Sequence, residues 1–189
     1  IRTFVYLCFI LPSDFKEWLL TNNIGVKIIN AAIYHPEIKV DNSYFIKHFQ
    51  ELNKDIQPLF DNLGRKSRYL ASDNENALTM AIEASKKVLS TSNLLGSDID
   101  LIVFTSSTPE YIAPSNAVKI HHAINGKASA CVYDTNSNCV GMIVSLDQLY
   151  NSIMNNPTMK RVLLVGSEHI NHHSKDSDEI TYSNFGDAA

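Results

Sequence analysis

The sequence predicts a layered α/β domain in which a mostly parallel, mixed sheet is covered by helices. Short runs of almost continuous apolar residues recur along the chain, and segments with an apolar residue at every third or fourth position lie between them. Strands buried on both faces are apolar throughout, and parallel strands need crossover helices, so this alternation is typical of such a sheet. With 189 residues, 44% of them hydrophobic, the chain is long enough for one sizeable core.

Each predicted strand is a short apolar or β-branched run that ends at a turn signal. The four runs are residues 25–34, 100–105, 128–133 and 162–165. The predicted helices have apolar residues spaced by three and four, and one of them opens after a capping-box pattern at residues 72–75 and ends at Gly96. The other helices are predicted at residues 41–52, 114–124 and 140–154.

Charge and cysteine content narrow the function. The net charge of −4 argues against nucleic acid as the main partner, because a phosphate-binding surface has a basic excess. The chain has three cysteines, Cys8, Cys131 and Cys139. They share no metal-ligand spacing and their odd number does not indicate a disulfide framework, so a reducing, cytoplasmic setting is predicted. Three histidines without a fixed carboxylate or cysteine partner are interpreted as solvated loop residues rather than metal ligands. They are His169, His172 and His173.

The first residues of the chain have an unclear role. An apolar run at residues 4–11 follows Arg2, but it is far shorter than the ~20 residues that span a bilayer. No small-residue cleavage pattern follows the run. We therefore predict no membrane segment, and we interpret residues 1–23 as an N-terminal extension, either a packed strand or a mobile segment.

The best local evidence for chemistry surrounds Cys139. An apolar strand runs into the polar residues 134–138, and a predicted helix starts directly after Cys139. Unpaired amides and the positive dipole end at a helix N-terminus favour the thiolate, which is the reactive form of cysteine. The pattern fits a nucleophile, and it also fits a buried structural cysteine, since cysteine is commonly buried. Cys8 and Cys131 lie in apolar runs and are predicted to be core residues.

Six motifs follow one another between residues 64 and 189. They are Gly64 with Arg68, Thr108-Pro109-Glu110, Pro114-Ser115, Asp134 with Cys139 and Gly141, residues 162–168 (VLLVGSE), and Asp178 with Thr181 before Phe185-Gly186-Asp187. In this order and spacing they resemble the N-terminal half of β-ketoacyl-acyl-carrier-protein synthase III. Each motif is weak alone, but six in order are specific.

The resemblance implies one half of a thiolase-like fold, formed by residues 24–189 and truncated before the C-terminal half. It implies that Cys139 accepts an acyl group from acyl-CoA or an acyl-carrier protein. That group is then condensed with malonyl-acyl-carrier protein in fatty-acid or related biosynthesis, with no cofactor. The family's catalytic His and Asn come from the C-terminal half, so this chain alone is expected to be an incomplete enzyme. A homo-oligomer, or a complex with the C-terminal half, is also expected.

The resemblance further suggests which residues contact the acyl group. Asn138, Gly141 and Ala113 are expected to line its site. Ala113 stands where the family often has Phe, and its smaller side chain leaves room for a longer acyl group. Pro58 and Asn62 replace a Trp and an Arg that hold coenzyme A in the family, which favours delivery by a carrier protein.

A carrier protein is acidic, so a basic docking surface is expected on this chain. Arg65, Lys66 and Arg68 are the predicted docking residues. Two other interpretations stay open. The chain could be a non-catalytic truncated half that serves as a partner or relic module, or a relative of thiolase or hydroxymethylglutaryl-CoA synthase. The motifs at residues 108–110 and 185–187 favour synthase III over the latter.

Overall fold

A computed structural model describes the backbone of residues 2–7 and all of residues 26–189. The strands of these residues are β1 (Arg2–Leu7), β2 (Val26–Ala32), β3 (Ile38–Asp41), β4 (Ser67–Leu70), β5 (Leu101–Thr105), β6 (Cys131–Thr135) and β7 (Arg161–Gly166). The helices are α1 (Asn42–Glu51), α2 (Gln57–Leu63), α3 (Ala77–Thr91), α4 (Asn116–Ala123), α5 (Gly141–Asn155), α6 (Ile170–His173) and α7 (Thr181–Asn184). The prediction that Cys8 is a core residue falls outside the described residues.

Five strands form one sheet in the order β2-β1-β7-β5-β6, and every neighbouring pair in it is parallel. β3 and β4 form a separate antiparallel pair. This topology confirms the predicted α/β fold with a mostly parallel sheet. β1 comes from the predicted N-terminal extension and lies within the sheet, while the domain boundary after residue 23 stays a prediction.

Helices cover both faces of the sheet. Ile102 and Leu163 point to one face, where they share a buried core with residues of α3 and α4. Val103 and Leu164, their neighbours along β5 and β7, belong to the core beneath α5 on the other face. The strands are apolar throughout because both of their faces are buried.

The helix α3 begins slightly later than its sequence signal. Ser72 and Glu75 do bond to each other, with 3.0 Å between the Ser72 amide and the Glu75 carboxylate, but they form a turn before the helix. Asn76 is the cap: its side chain accepts from the Thr79 amide at 2.8 Å, and its amide donates to the Thr79 hydroxyl at 2.8 Å. The predicted capping box was therefore wrong by a few residues, because a second Asn and Thr pair satisfies the helix start.

The segment after α1 contains a short helix, α2, and the strand β4. Pro58 sits in the first turn of α2, where its missing N–H is no loss. Gly64 ends that helix at φ 65°, a left-handed conformation that glycine adopts without strain. β4 then pairs with β3. The two strands are far apart in the sequence, so no local pattern predicts this pairing. No helix in residues 26–189 is long and apolar enough to cross a membrane.

Candidate active site

The carboxyl ends of three parallel strands meet at one edge of the sheet. Thr105 at the end of β5 is paired with Thr135 of β6 on one side and with Gly166 of β7 on the other. The loops that follow these strands, residues 106–115 and 136–140, therefore leave the sheet from the same edge. Ligands of α/β proteins bind at this edge, because there the loops diverge and helices begin.

Cys139 lies in a 3₁₀ turn, Asn138–Val140, that leads directly into α5. The position at the start of the helix agrees with the strand–loop–helix pattern. The side chain is exposed, so Cys139 is not the buried structural cysteine that the pattern also allowed. The side chain of Val140 beside it is exposed too. Asn138 has φ 49°, a left-handed conformation that Asn tolerates better than most residues.

Gly141 allows the start of α5 to approach the sheet closely. A Cβ atom at this position would lie 2.4 Å from the Thr105 hydroxyl, which is far inside van der Waals contact. One turn later, the Ser145 and Thr135 hydroxyls bond at 3.0 Å. The close neighbour of Gly141 is thus β5 of the same chain, and its predicted contact with substrate stays a prediction. These contacts hold the Cys139 turn against the sheet edge.

Glu168 organises the loop after β5, a role that the sequence analysis did not identify. Its carboxylate accepts from the Ser107 amide, the Ser107 hydroxyl and the Thr108 hydroxyl, each at 2.8 Å. Asp134 plays a similar part at the start of α4, where it accepts from the Asn116 amide at 2.7 Å and the Ala117 amide at 2.8 Å. Both residues belong to the matched motifs, but only the fold shows which amides they bind.

Ala113 lies in the exposed part of the loop after β5, next to Ile112, whose side chain is fully exposed. Its predicted place in the acyl site stays a prediction. Pro58 and Asn62 are both exposed on α2. Neither residue is the aromatic or the cationic side chain that holds coenzyme A in the family.

The predicted docking residues divide into two kinds. Arg65 and Lys66 are exposed, and the Arg65 guanidinium lies 5.5 Å from the centre of the Phe185 ring. Arg68 is buried, with only 6% of its surface exposed. Its guanidinium stacks over Phe45 and Phe60 at 4.2 and 4.7 Å. Including Arg68 in a docking surface was therefore wrong, because two aromatic rings and its place in β4 turn it inward.

Arg68 remains a cation within this aromatic core. Burial, together with the charge of Arg65, lowers its pKa to about 10, so it stays protonated at neutral pH. It donates to the Asn42 side chain at 2.7 Å and to the Ser183 carbonyl. The Arg68 side chain thus ties β4 to α1 and to the segment around α7.

Cys131 was predicted to be a core residue, but the structure exposes it. β6 is the last strand of the described sheet, and Cys131 is its first residue, so neighbouring strands cover it on one side only. Of the run at residues 128–133, Val132 and Tyr133 are half-buried against the two cores of the sheet.

Two of the three histidines, His169 and His172, line a cavity of about 390 Å³ together with Glu75 and Asp187. His169 and His172 are stacked with ring centroids 4.9 Å apart. Burial lowers the pKa of His169 below its ordinary value, although Asp187 acts in the opposite direction. In residues 26–189 no three His, Cys, Asp or Glu side chains are arranged to hold a metal ion.

Comparison with known proteins agrees with this geometry. Residues 133–189, which contain Cys139, match the family model of 3-oxoacyl-[acyl-carrier-protein (ACP)] synthase III. The beta-ketoacyl-[acyl-carrier-protein] synthase III of Clostridium perfringens is 31% identical over 165 residues, 87% of this chain and 49% of that protein.

Solved structures show the same likeness in three dimensions. The 3-oxoacyl-[acyl-carrier-protein] synthase III of Aquifex aeolicus matches with a TM-score of 0.73 and 26% identity, over 83% of this chain and 49% of that one. The 3-oxoacyl-(acyl-carrier protein) synthase of Burkholderia xenovorans matches with a TM-score of 0.76 and 28% identity, over 82% and 44%.

The fold is that of one half of a thiolase-like protein, and Cys139 stands at the carboxyl edge of its sheet. In sequence and structure this half is similar to the N-terminal half of 3-oxoacyl-[acyl-carrier-protein] synthase III, as its motifs predicted. The chain spans about half the length of the curated relatives it matches.

Proposed function

We propose that this chain is the nucleophile-bearing half of an acyltransferase, in which Cys139 accepts an acyl group from a thioester of coenzyme A or of an acyl-carrier protein. The observation that carries the proposal is the location of Cys139. Its side chain is exposed, and it lies in the turn that leads into α5, at the carboxyl edge of the parallel sheet. The similarity to synthase III relatives supports the same role.

The local structure suits attack by sulfur. Cys139 lies at the N-terminal end of α5, and the positive end of a helix dipole stabilises an anion placed next to it. The thiolate attacks the thioester carbonyl, a new carbon–sulfur bond forms, and the bond to the carrier sulfur breaks. The carrier leaves as a thiol and takes the proton that Cys139 gave up. Acyl transfer between two thioesters needs no oxidant, metal or cofactor.

Condensation requires more than this chain offers. Decarboxylating a malonyl unit builds negative charge on a carbonyl oxygen, and positioned hydrogen-bond donors usually contribute most to stabilising such charge. We propose that the His and Asn expected from the resemblance supply these donors from a C-terminal half. Loading of Cys139 is therefore the step assigned to the residues described above, and condensation with malonyl-acyl-carrier protein belongs to the assembled enzyme.

We propose that the acyl group is longer than acetyl and arrives on a carrier protein. Ala113 leaves space in an exposed loop where the family often has Phe. Loss of the stacking Trp and the cation at Pro58 and Asn62 should weaken nucleotide binding by roughly 1–3 kcal/mol. The acidic carrier would dock on Arg65 and Lys66, in a cytoplasmic enzyme that forms a homo-oligomer or pairs with its C-terminal half.

The test is mass spectrometry of the chain after incubation with an acyl-CoA and, separately, with an acyl-carrier protein. The expected result is one acyl adduct on Cys139 that is absent from Cys139→Ser. The matched control is Cys131→Ser, since Cys131 is also exposed and lies at the other end of β6. An adduct on Cys131, or none on a folded chain, would favour a non-catalytic partner or relic module instead.

A comparison of acyl lengths tests the substrate. In an enzyme completed with its C-terminal half, the specificity constant should be higher for medium-chain thioesters than for acetyl-CoA. Ala113→Phe should lower the value for medium chains and leave acetyl transfer nearly unchanged. A clear preference of the unsubstituted enzyme for acetyl-CoA would contradict the proposed acyl length without affecting the role of Cys139.

A further inference from the structure

The far end of the loop after β5 is held by the side chain of Asn116. The amide nitrogen of this side chain donates to the Tyr111 carbonyl at 2.8 Å, and its oxygen accepts from the Tyr111 amide at 3.3 Å. One side chain thus bonds both backbone groups of Tyr111, as a paired strand would. Lys119, one turn further along α4, adds a third contact, since its ammonium nitrogen lies 4.5 Å from the centre of the Tyr111 ring.

Asn116 is held in turn by the segment that leads to Cys139. It is fully buried, and the Asp134 carboxylate accepts from its backbone amide at 2.7 Å and from its side-chain amide at 2.9 Å. Asp134 lies on β6, the strand whose end runs into the turn with Cys139. A continuous series of hydrogen bonds therefore leads from the strand before Cys139, through Asn116, to Tyr111.

Burial does little to place the tip of this loop. Residues 110–114 are all exposed, and the Ile112 side chain has 100% of its surface exposed. An exposed backbone segment opens easily unless polar contacts hold it. The bonds from Asn116 to Tyr111 are therefore expected to place Ile112 and Ala113, the two residues that follow.

We propose that Asn116 is a positioning residue for the acyl site and sets the acyl length that Cys139 accepts. By holding Tyr111, it fixes where Ala113 stands relative to the turn with Cys139, and so how much room is left for an acyl chain. Asn116 acts through Tyr111 and takes no part in the exchange of thioesters. The inference rests on the proposed acyl transfer and on the proposed place of Ala113 in the acyl site.

The chemistry of an amide side chain suits this role. An amide carries donors and an acceptor on one group, so Asn116 accepts from Tyr111 while it donates to both Tyr111 and Asp134. An ionised Asp in its place would have no proton to donate and would face the carboxylate of Asp134. An Ala would leave both backbone groups of Tyr111 without this partner.

The first test measures the loop without any acyl chemistry. Amide hydrogen exchange of residues 110–113 is compared in the full chain and in its Asn116→Ala variant. Loss of both bonds should raise exchange there about fivefold or more. The control is Asp100→Asn, which weakens the opposite edge of the sheet and should leave exchange of residues 110–113 unchanged. Equal exchange with and without the Asn116 side chain would overturn the inference.

The second test measures acyl selectivity. Mass spectrometry gives the rates at which acetyl-CoA and octanoyl-CoA form an adduct on Cys139 of the full chain. In Asn116→Ala the rate with octanoyl-CoA should fall about fivefold or more, while the rate with acetyl-CoA stays nearly unchanged. A merely structural role would lower both rates together, and Asp100→Asn should lose stability yet keep the original ratio of the two rates.

The outcomes distinguish this inference from the function on which it rests. An unchanged ratio in a folded Asn116→Ala chain that still loads Cys139 would refute the role of Asn116 and leave acyl transfer intact. No adduct on Cys139 in any form would refute acyl transfer, and the selectivity role would fall with it. If Asn116→Ala does not fold, Lys119→Met decides. Loss of the cation over the Tyr111 ring should lower the ratio of octanoyl to acetyl loading about twofold, and an unchanged ratio overturns the inference.

Discussion

Cys131 and Cys139 lie at opposite ends of one stretch of chain, the first at the start of β6 and the second just after its end, and both are exposed. They differ in the element that each one opens. Cys131 opens a strand whose amides bond to β5, whereas Cys139 leads into the N-terminal end of α5, which is the positive end of the helix dipole. Both cysteines are therefore exposed, and they differ in the backbone element at which each one stands.

The same contrast holds for the carboxylates at the two ends of the sheet. Near Cys131, Asp100 accepts from the Lys160 and Arg161 amides at 2.6 and 2.8 Å and pairs with Lys127. Near the other edge, Glu168 binds the loop after β5. One carboxylate ties the amino ends of strands together, and the other shapes a loop at the carboxyl ends. A carboxylate organises each of the two edges, and the carboxyl edge also holds the start of α5 with Cys139 directly before it.

Relative cysteine reactivity is the sharpest test of this comparison. In the intact chain at neutral pH, iodoacetamide should modify Cys139 at least about tenfold faster than Cys131, because thiolate is favoured at a helix start. Peptide mapping at a low reagent ratio gives both rates in one sample. Cys139→Ser should leave the rate at Cys131 unchanged. Equal rates would mean that the start of α5 confers no advantage on sulfur.

The close approach of α5 to the sheet can be broken at Gly141. Gly141→Ala should destabilise the chain by about 1–3 kcal/mol, since its new methyl group must displace the Thr105 hydroxyl. Urea unfolding measures the loss of unfolding free energy. The rate at which iodoacetamide labels Cys139 should also change, while the rate at Cys131 stays the same.

A double-mutant cycle provides the control for this prediction. Thr105→Ala removes the hydroxyl that the new methyl group meets, so Gly141→Ala should cost less in that background. Equal costs in both backgrounds would show that the steric contact is not the cause.

Acid should destabilise the edge of the sheet near Cys131, because protonation of Asp100 weakens its hydrogen bonds there. Burial alone would raise the pKa of Asp100, but hydrogen bonds from Lys127 and from the Arg161 and Lys160 amides outweigh it and hold that pKa below its ordinary 3.8. A carboxylate whose pKa is lower in the folded than in the unfolded chain stabilises the fold at pH values above the unfolded-state pKa. This stabilisation is lost as the pH falls through the folded-state pKa.

Asp100→Asn should therefore unfold more easily than the unsubstituted chain at pH 7, and the difference should shrink below about pH 4. Urea midpoints across the acid range measure it. Asp147→Asn, on the exposed part of α5, controls for the removal of one carboxylate. A difference that stays constant with pH would contradict the assignment to Asp100.

The smallest expected effect concerns the surface beside Cys139. Val140 and Ile143 are 56% and 52% exposed, one turn apart at the start of α5. Apolar surface at this place favours association, so light scattering at micromolar concentration should show more than a monomer. Ile143→Lys should weaken association. Met154→Lys, at an exposed position near the other end of the helix, should not. A compact monomer before any substitution would contradict the expectation.

Local pattern accounts for much of the fold and for part of the site. Buried strands such as β5 and β7 are recognisable because both faces are apolar, and α3 because its apolar residues recur at helical spacing. Cys139 was found from the strand and helix that flank it. The burial of Arg68, the exposure of Cys131 and the existence of α2 and β4 were not, because each depends on a partner distant in the chain.

By itself, the sequence determined the alternation of strands and helices and the junction at which Cys139 stands, since both arise from residues close together in the chain. Tertiary structure alone decided the strand order, the contact of Gly141 with Thr105, and the binding of residues 107–108 by Glu168. The physical reason is that the sequence of an apolar strand is compatible with any interior position in a sheet. Only the packing of distant segments, with the hydrogen bonds they leave to be made, selects one arrangement.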